Sequence, residues 1–256
     1  KLMQRATKAN GFLESRQGVR EMLRHPELNK PYFYEYHVVT DAVVEYFHEA
    51  FSYDQYFVRG KDDFVEITAY LTALQNGAQG RPVLQCCRTT GRVAGIQAEC
   101  GGIHIFLWRN PWDQWWSYKK DHYFESRNLF IFNAKCLPEF LQALKKELDI
   151  PDFRNANPSI KHAYCSNRYL DSTASYKLFY ALWCHAMLEA KPHCKLSISI
   201  DRLSVSDAYR GEILKKLELL GVSGLDFTDC SVPMASYGES DGAFFLKTED
   251  RIHELL

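Results

Sequence analysis

The sequence predicts an α/β fold, a parallel β-sheet flanked by helices, on three observations. Apolar runs at residues 82–87 and 103–108 do not alternate, the pattern of strands covered on both faces, and residues 195–200 are a third candidate strand. Helix-period stretches separate these runs, as parallel pairing needs a crossover. The composition is that of a folded chain: of 256 residues, 46% are hydrophobic, 14% aromatic and 25% charged, with a formal net charge of -1. Disordered chains are depleted in the aromatic residues that are plentiful here. No run approaches the roughly 20 apolar residues of a membrane span. Near-neutral charge gives no reason to expect a nucleic-acid or anionic-membrane partner.

The elements follow in order. Phe12, Val19, Met22 and Leu23 form one stripe of a helix over residues 11–24, which Pro26 ends. Residues 31–36 are dense in aromatics (Tyr32, Phe33, Tyr34, Tyr36) and form either a loop packed on a pocket or a buried connection. Thr40-Asp41 caps a helix over 42–51, with Val43, Val44, Phe47 and Phe51 at helical spacing. A helix over 62–76 stops at Gly77. After the run at 82–87 comes a short helix at 93–99, broken by Gly101-Gly102 before the strand at 103–108. Pro111 then opens a helix at its first turn. A long helix over 172–190 leads to the strand at 195–200; Ser206-Asp207 caps a helix over 206–220 that ends at Gly221, and 248–256 is a C-terminal helix. Three strands make a thin sheet for a chain of this length. No repeat, low-complexity tract or linker divides it, so a single domain over 1–256 is expected, mainly helical in 1–80 and sheet-containing in 81–256.

The 8 cysteines are irregularly spaced, with no C-x-x-C pair and no Cys/His spacing of a zinc site. They are expected to be free thiols serving as small core residues, in a reducing compartment. Residues 1–10 lack the apolar core of a signal peptide, so a cytoplasmic location is expected.

Chemistry concentrates after the second apolar run. That run ends in Arg109, Asn110 makes the turn, Pro111 starts a helix, and Ser117 lies six residues into it. Carboxyl ends of parallel strands line the ligand crevice, so Arg109 projects there. A guanidinium fork with a hydroxyl suits a phosphate group. The competing role is an Arg bonded to helix carbonyls and a Ser on an ordinary helix surface.

Arg109-Asn110-Pro111-x-Asp113-x-x-x-Ser117, directly after an apolar strand, resembles the 3′-phosphate motif of sulfotransferases that use 3′-phosphoadenosine 5′-phosphosulfate (PAPS). The stretch from Pro82 through Arg88-Thr89-Thr90-Gly91-Arg92 to Val93 is similar to the segment before that motif in bacterial sulfotransferase-like proteins. Ser197-Ile198-Ser199-Ile200-Asp201-Arg202-Leu203 sits where that family has a strand and a polar turn. The resemblance is firm over residues 81–117 and looser out to Pro233. It implies a P-loop-like nucleotide-binding architecture, with Arg109 and Ser117 holding the 3′-phosphate of PAPS. It also implies in-line sulfuryl transfer to a hydroxyl or amine of a small-molecule, lipid or carbohydrate acceptor, without a metal. The family's 5′-phosphosulfate loop has no counterpart in residues 1–80. Either it lies upstream of Lys1, as the missing initiator methionine suggests, or Arg88-Thr89-Thr90-Gly91-Arg92 serves as the loop. On both views Arg88 and Arg92, with Thr89 and Thr90, face the cofactor crevice; the competing role for the arginines is in surface salt bridges.

Of the 9 histidines, His37 is the candidate base, with Glu35 and His48 behind it, while His104, inside a strand, and His185, in an apolar helix, are expected in the core. Tyr32, Phe33, Tyr34, Trp112, Trp115 and Trp116 line an acceptor pocket or pack the core. The rival function is a non-catalytic binding or scaffold protein that keeps only the 3′-phosphate half-site. A different P-loop transferase is disfavoured, because no G-x-x-x-x-G-K-[ST] is present. The acceptor and the oligomeric state are left open.

Overall fold

The structure, a computed structural model, describes residues 35–58, 64–119 and 122–256, and side chains from residue 38 onward within that set. The predicted helix at 11–24 and most of the aromatic stretch at 31–36 lie outside the described residues. The chain groups into two compact units, one of residues 1–51 and 60–86, the other of residues 52–59 and 87–256.

In the first unit, α1 (Glu35–Val43) packs against α2 (Val65–Gly77), with Val43, Ile67 and Leu74 buried. Thr40 is not a cap: it lies inside α1, buried, and a 3-10 turn at Val44–Tyr46 follows. Gly77 is the last residue of α2 rather than the position beyond it. Its bare Cα lets α1 approach, since a Cβ there would sit 3.2 Å from Val39 Cγ1. The expected strand at 82–87 does not form. Val83 is 88% exposed, no strand among the described residues pairs with this run, and extended backbone without a partner gains no ladder.

The second unit carries the sheet. After α3 (Val93–Cys100), Gly101 (φ 63°) and Gly102 (φ 90°) turn the chain through left-handed backbone into β1 (Ile105–Trp108). Asn110 caps α4 (Pro111–Tyr118), its side chain accepting from Trp112 N at 2.9 Å. Then come α5 (Tyr123–Ile131), α6 (Glu139–Glu147), α7 (Pro158–Asn167) and α8 (Ser172–His185), the last opened by the Asp171 carboxylate. A π-helical turn over Ala186–Ala190 ends the predicted long helix, and β2 (Leu196–Ser199) lies parallel to β1, with Leu107 opposite Ile198. After β2 come α9 (Ile200–Val205) and α10 (Asp207–Leu219), which Ser206 caps by accepting from Tyr209 N. Helix α11 (Glu239–His253) begins nine residues before the predicted C-terminal helix.

The sheet is parallel but is not covered on both faces. Phe106 is buried, while Leu107 is 57% and Ile105 37% exposed, so one face of β1 stays open. A continuous apolar run cannot by itself tell two-sided from one-sided burial. The main core forms instead where α5, α6, α8 and α11 meet, around Leu129, Phe132, Leu141, Leu144, Tyr176 and Phe245, all within 1% of full burial. A smaller core joins β2 to α9 and α10 through Ile198, Leu203, Ile213 and Leu217. No helix of the described residues is long and apolar enough to cross a membrane.

None of the eight cysteines forms a disulfide, but only Cys165 and Cys184 are buried; Cys86, Cys87 and Cys136 are exposed. Burial pushes the thiols of Cys165 and Cys184 up to about 11. Two units above the ordinary value lower the thiolate fraction about a hundredfold at neutral pH, and only the thiolate alkylates. Brief treatment of the native protein with iodoacetamide, followed by peptide mass mapping, should label Cys86, Cys87 and Cys136 and spare Cys165 and Cys184. Equal labelling of all five would contradict this packing.

Candidate functional site

The local chemistry of the turn after β1 explains the site. Pro111 supplies a helix-ready φ and lacks only an N–H that the first turn leaves unbonded. Arg109 leaves the end of β1 and reaches three partners. Its Nε donates to Asp201 Oδ1 at 2.9 Å, Nη1 to Ser117 Oγ at 3.3 Å and Nη2 to the Pro233 carbonyl at 2.9 Å. Both charged side chains are 14% exposed. Asp201, just beyond β2, also accepts from Asn110 N at 2.6 Å, so one carboxylate stitches the two strand ends together. Ser117 Oγ donates back to the Asp113 carbonyl at 3.1 Å. The Asp113 carboxylate, buried, accepts from Ala235 N at 3.1 Å and Tyr237 Oη at 2.7 Å. Burial and that bond to Asp113 push the Tyr237 hydroxyl well above the ordinary tyrosine range. Arg109 and Ser117, paired by sequence spacing, therefore meet in space, and with Asp113 they hold the chain at Pro233 and Ala235.

The other predicted cofactor residues do something different. Arg92 is buried and donates to the Gln55 carbonyl at 2.7 Å, and the Thr90 hydroxyl bonds that of Tyr56. These contacts anchor residues 55–56, so Arg92 is drawn into the fold beneath the turn rather than presented as a strand-end residue. Thr89 immediately precedes this 3-10 turn, which spans Thr90–Arg92. Gly91 is required there: a Cβ would lie 2.6 Å from the Tyr56 carbonyl oxygen and 2.8 Å from Phe57 Cδ1. Backbone cannot yield as a side-chain tip does, so Gly91→Ala should cost about 2–3 kcal/mol in chemical denaturation. A loss below about 0.5 kcal/mol would show that the segment is not clamped.

Of the candidate bases, His37 and Glu35 fall in α1 but their side chains lie outside the described residues, and the His48 ring packs edge-on against Phe51 at 5.3 Å. His104 precedes β1 rather than lying in it and bonds the Gly101 carbonyl at 2.8 Å. His185 is a core residue, and burial pulls its pKa down. Sequence reasoning missed a histidine–carboxylate pair. His122 Nδ1 lies 3.3 Å from Glu125 Oε1, an oxygen that also accepts from Leu170 N at 3.2 Å. His122 Nε2 is buried without a hydrogen-bond partner, and the imidazole stacks on Tyr169 at 4.1 Å between ring centres. The pair borders a cavity of about 190 Å³ that Trp115, Tyr118, Lys119 and Ser175 also line. Its signal in sequence is only an i, i+3 His/Glu spacing, which is common on helix surfaces. Trp115 lines this cavity; Trp112 instead stacks on Phe245 at 4.6 Å, and Trp116 is 48% exposed. Ser117 and Trp115 are two residues apart, about 200° around a helix. Helix α4 thus turns Ser117 toward Arg109 and Trp115 toward the cavity.

Among the described residues, no group of three His, Cys, Asp or Glu side chains is placed to hold a metal ion. No family model, curated protein or solved structure matches this chain.

Proposed function

We propose that this chain is a sulfotransferase that takes a sulfuryl group from PAPS, with Arg109 and Ser117 holding the 3′-phosphate. The observation that carries this reading is the Arg109 Nη1 to Ser117 Oγ bond of 3.3 Å at a parallel strand end. An arginine has five N–H donors. Three point to Asp201, Ser117 and Pro233, which leaves one on each terminal nitrogen. That remaining pair can take a phosphate in bidentate fashion. Bound PAPS supplies an activated sulfuryl group; the residues supply positioning and charge. Arg109 offers the fork, Asp201 fixes its plane, and Ser117, whose hydroxyl hydrogen goes to the Asp113 carbonyl, holds Nη1 as an acceptor. The acceptor, a small molecule, lipid or carbohydrate, would give up its hydroxyl or amine proton as it takes the sulfuryl group, and 3′-phosphoadenosine 5′-phosphate would be released.

One observation favours a second reading, a non-catalytic sulfotransferase-like binding module. Asp201 already neutralises Arg109, and the Pro233 carbonyl takes one arm of its fork. Calorimetry with 3′-phosphoadenosine 5′-phosphate tests the 3′-phosphate site that both readings keep. Saturable binding that Arg109→Ala abolishes supports the site, and release of this nucleotide from PAPS on incubation with the protein favours the enzyme over the module. No binding by a protein that melts cooperatively would sink the site.

A further inference from the structure

We infer that Arg88 and Arg127 together form a binding site for a tetrahedral oxyanion, a phosphate or sulfate group, separate from the Arg109 fork. The inference goes beyond the proposed reaction and stands whether or not a nucleotide binds at Arg109. Arg88 precedes the turn at Thr90–Arg92, and Arg127 lies on α5. Both guanidiniums converge on the same two tyrosines. Arg88 Cζ lies 4.4 Å from the centre of the Tyr53 ring, and Arg88 Nη2 donates to Tyr123 Oη at 3.3 Å. Arg127 Cζ lies 4.6 Å from the centre of the Tyr123 ring and 5.8 Å from that of Tyr53. The platform is firm, because Tyr53 stacks on the buried Phe130 at 5.0 Å.

Charge balance together with burial is what singles the pair out, since Arg168 and Arg202, which also lack a carboxylate partner among the described residues, are exposed. Arg109, Arg154, Arg210 and Arg251 each have a carboxylate oxygen within 3.1 Å. Arg88 and Arg127 have none among the described residues, although both are partly buried. Two like charges gathered on one pair of rings repel, more strongly as solvent is withdrawn. The ring faces return about 0.5–1 kcal/mol each at exposed sites, which offsets part of that repulsion, and the tyrosine hydroxyls accept one N–H from Arg88 and one from Arg127. Arg127 Nε is still buried without a hydrogen-bond partner. A buried polar donor left unbonded costs stability, and native structures rarely tolerate one without a reason. An oxyanion between the two forks supplies negative charge and several acceptor oxygens at once, in the planar geometry guanidinium groups match. The surface tyrosines leave the site open, since Tyr123 is 47% exposed.

The test is calorimetric titration of the full chain with sodium sulfate at low ionic strength, using the wild type, Arg127→Met, Arg127→Lys, Arg88→Met and Arg109→Ala. Methionine keeps an unbranched apolar stem while removing the charge, and each variant is first melted to show that it folds. Saturable sulfate binding, retained in Arg109→Ala, weakened tenfold or more in both methionine variants and partly restored in Arg127→Lys, is the expected result. Equal affinity in the wild type and Arg127→Met, or no binding by a folded wild type, overturns the site. Repeating the titration with saturating 3′-phosphoadenosine 5′-phosphate identifies the source of the group. Competition assigns it to the nucleotide, and undiminished sulfate binding assigns it to an acidic acceptor. If the nucleotide fails to bind while sulfate still depends on Arg127, the proposed reaction falls and this site stands.

Discussion

Arg109→Ala is expected to abolish binding of 3′-phosphoadenosine 5′-phosphate and to destabilise the unit of residues 52–59 and 87–256 by about 3 kcal/mol. The stability loss follows from what the substitution strands. Asp201 is 14% exposed and would keep only the Asn110 N–H, and removing one partner of a buried ion pair costs about 3–5 kcal/mol. The lower end applies because the pair retains some solvent contact. Ser117 and the Pro233 carbonyl would lose a donor as well, loosening the chain that Asp113 holds at Ala235. All five tryptophans (Trp108, Trp112, Trp115, Trp116 and Trp183) lie in this unit, so their fluorescence in urea reports its unfolding alone. Arg109→Lys should recover part of the stability but little of the binding, since one ammonium cannot span three partners in a plane. Asp201→Asn sharpens the result. It keeps an acceptor for Arg109 Nε while deleting the competing charge, so a nucleotide site should bind severalfold more tightly. Unchanged binding in Arg109→Ala would show that the residue serves only to join the strand ends.

What was legible in the sequence had local causes. Pro111 and Ser206 announce helix starts because these are settled within three residues: the helix opens at Pro111 and the Ser206 cap forms, as the sequence predicts, while the Asn110 side chain adds a cap of its own. The Arg109–Ser117 pair is legible because a strand, a turn and two helical turns have nearly fixed dimensions. The illegible features depend on distant parts of the chain. Asp201 and Pro233 stand 92 and 124 residues from the arginine they engage, and no periodicity encodes those meetings. Arg92 looks from its spacing like a crevice residue, yet folding brings it to the Gln55 carbonyl, 37 positions earlier. Residues 82–87 have strand composition, but no strand among the described residues pairs with them, and an apolar run alone does not announce its neighbour. His122 and Glu125 show the opposite limit: their spacing is visible, but only the cavity beside them gives it meaning.

Phe245→Ala should have the largest effect on stability, about 4 kcal/mol, and should weaken ligand binding at a distance. Phe245 is 1% exposed at the junction of α4, α8 and α11. Its ring stacks on Trp112 at 4.6 Å and meets Tyr176 edge-on at 4.8 Å and Trp115 at 5.8 Å. Deleting a buried phenyl group costs about 3–5 kcal/mol through lost transfer energy and the cavity left behind. The surrounding rings cannot collapse into that cavity easily. Trp112 Nε1 is held to Glu249 at 2.6 Å, and the Tyr176 hydroxyl bonds the same carboxylate oxygen. For a unit of this size each kcal/mol lowers the melting temperature by about 2–4 °C, so a fall of about 8–16 °C in tryptophan-monitored melting is expected. Leu246→Ala, one residue along α11 and 55% exposed, should change stability by less than about 0.5 kcal/mol. The functional consequence runs through α4, which carries Trp112 against Phe245, Asp113 against Tyr237 and Ser117 against Arg109. A phenyl-sized void beneath Trp112 frees the first turn of α4, and the hydroxyl of Ser117 is then held less firmly. Nucleotide affinity should therefore drop severalfold in Phe245→Ala even well below its melting temperature, while Phe245→Leu, which refills most of the volume, restores it. Wild-type affinity in a Phe245→Ala protein destabilised by the full amount would show that Ser117 is positioned by Arg109 and its own helix, without help from the core.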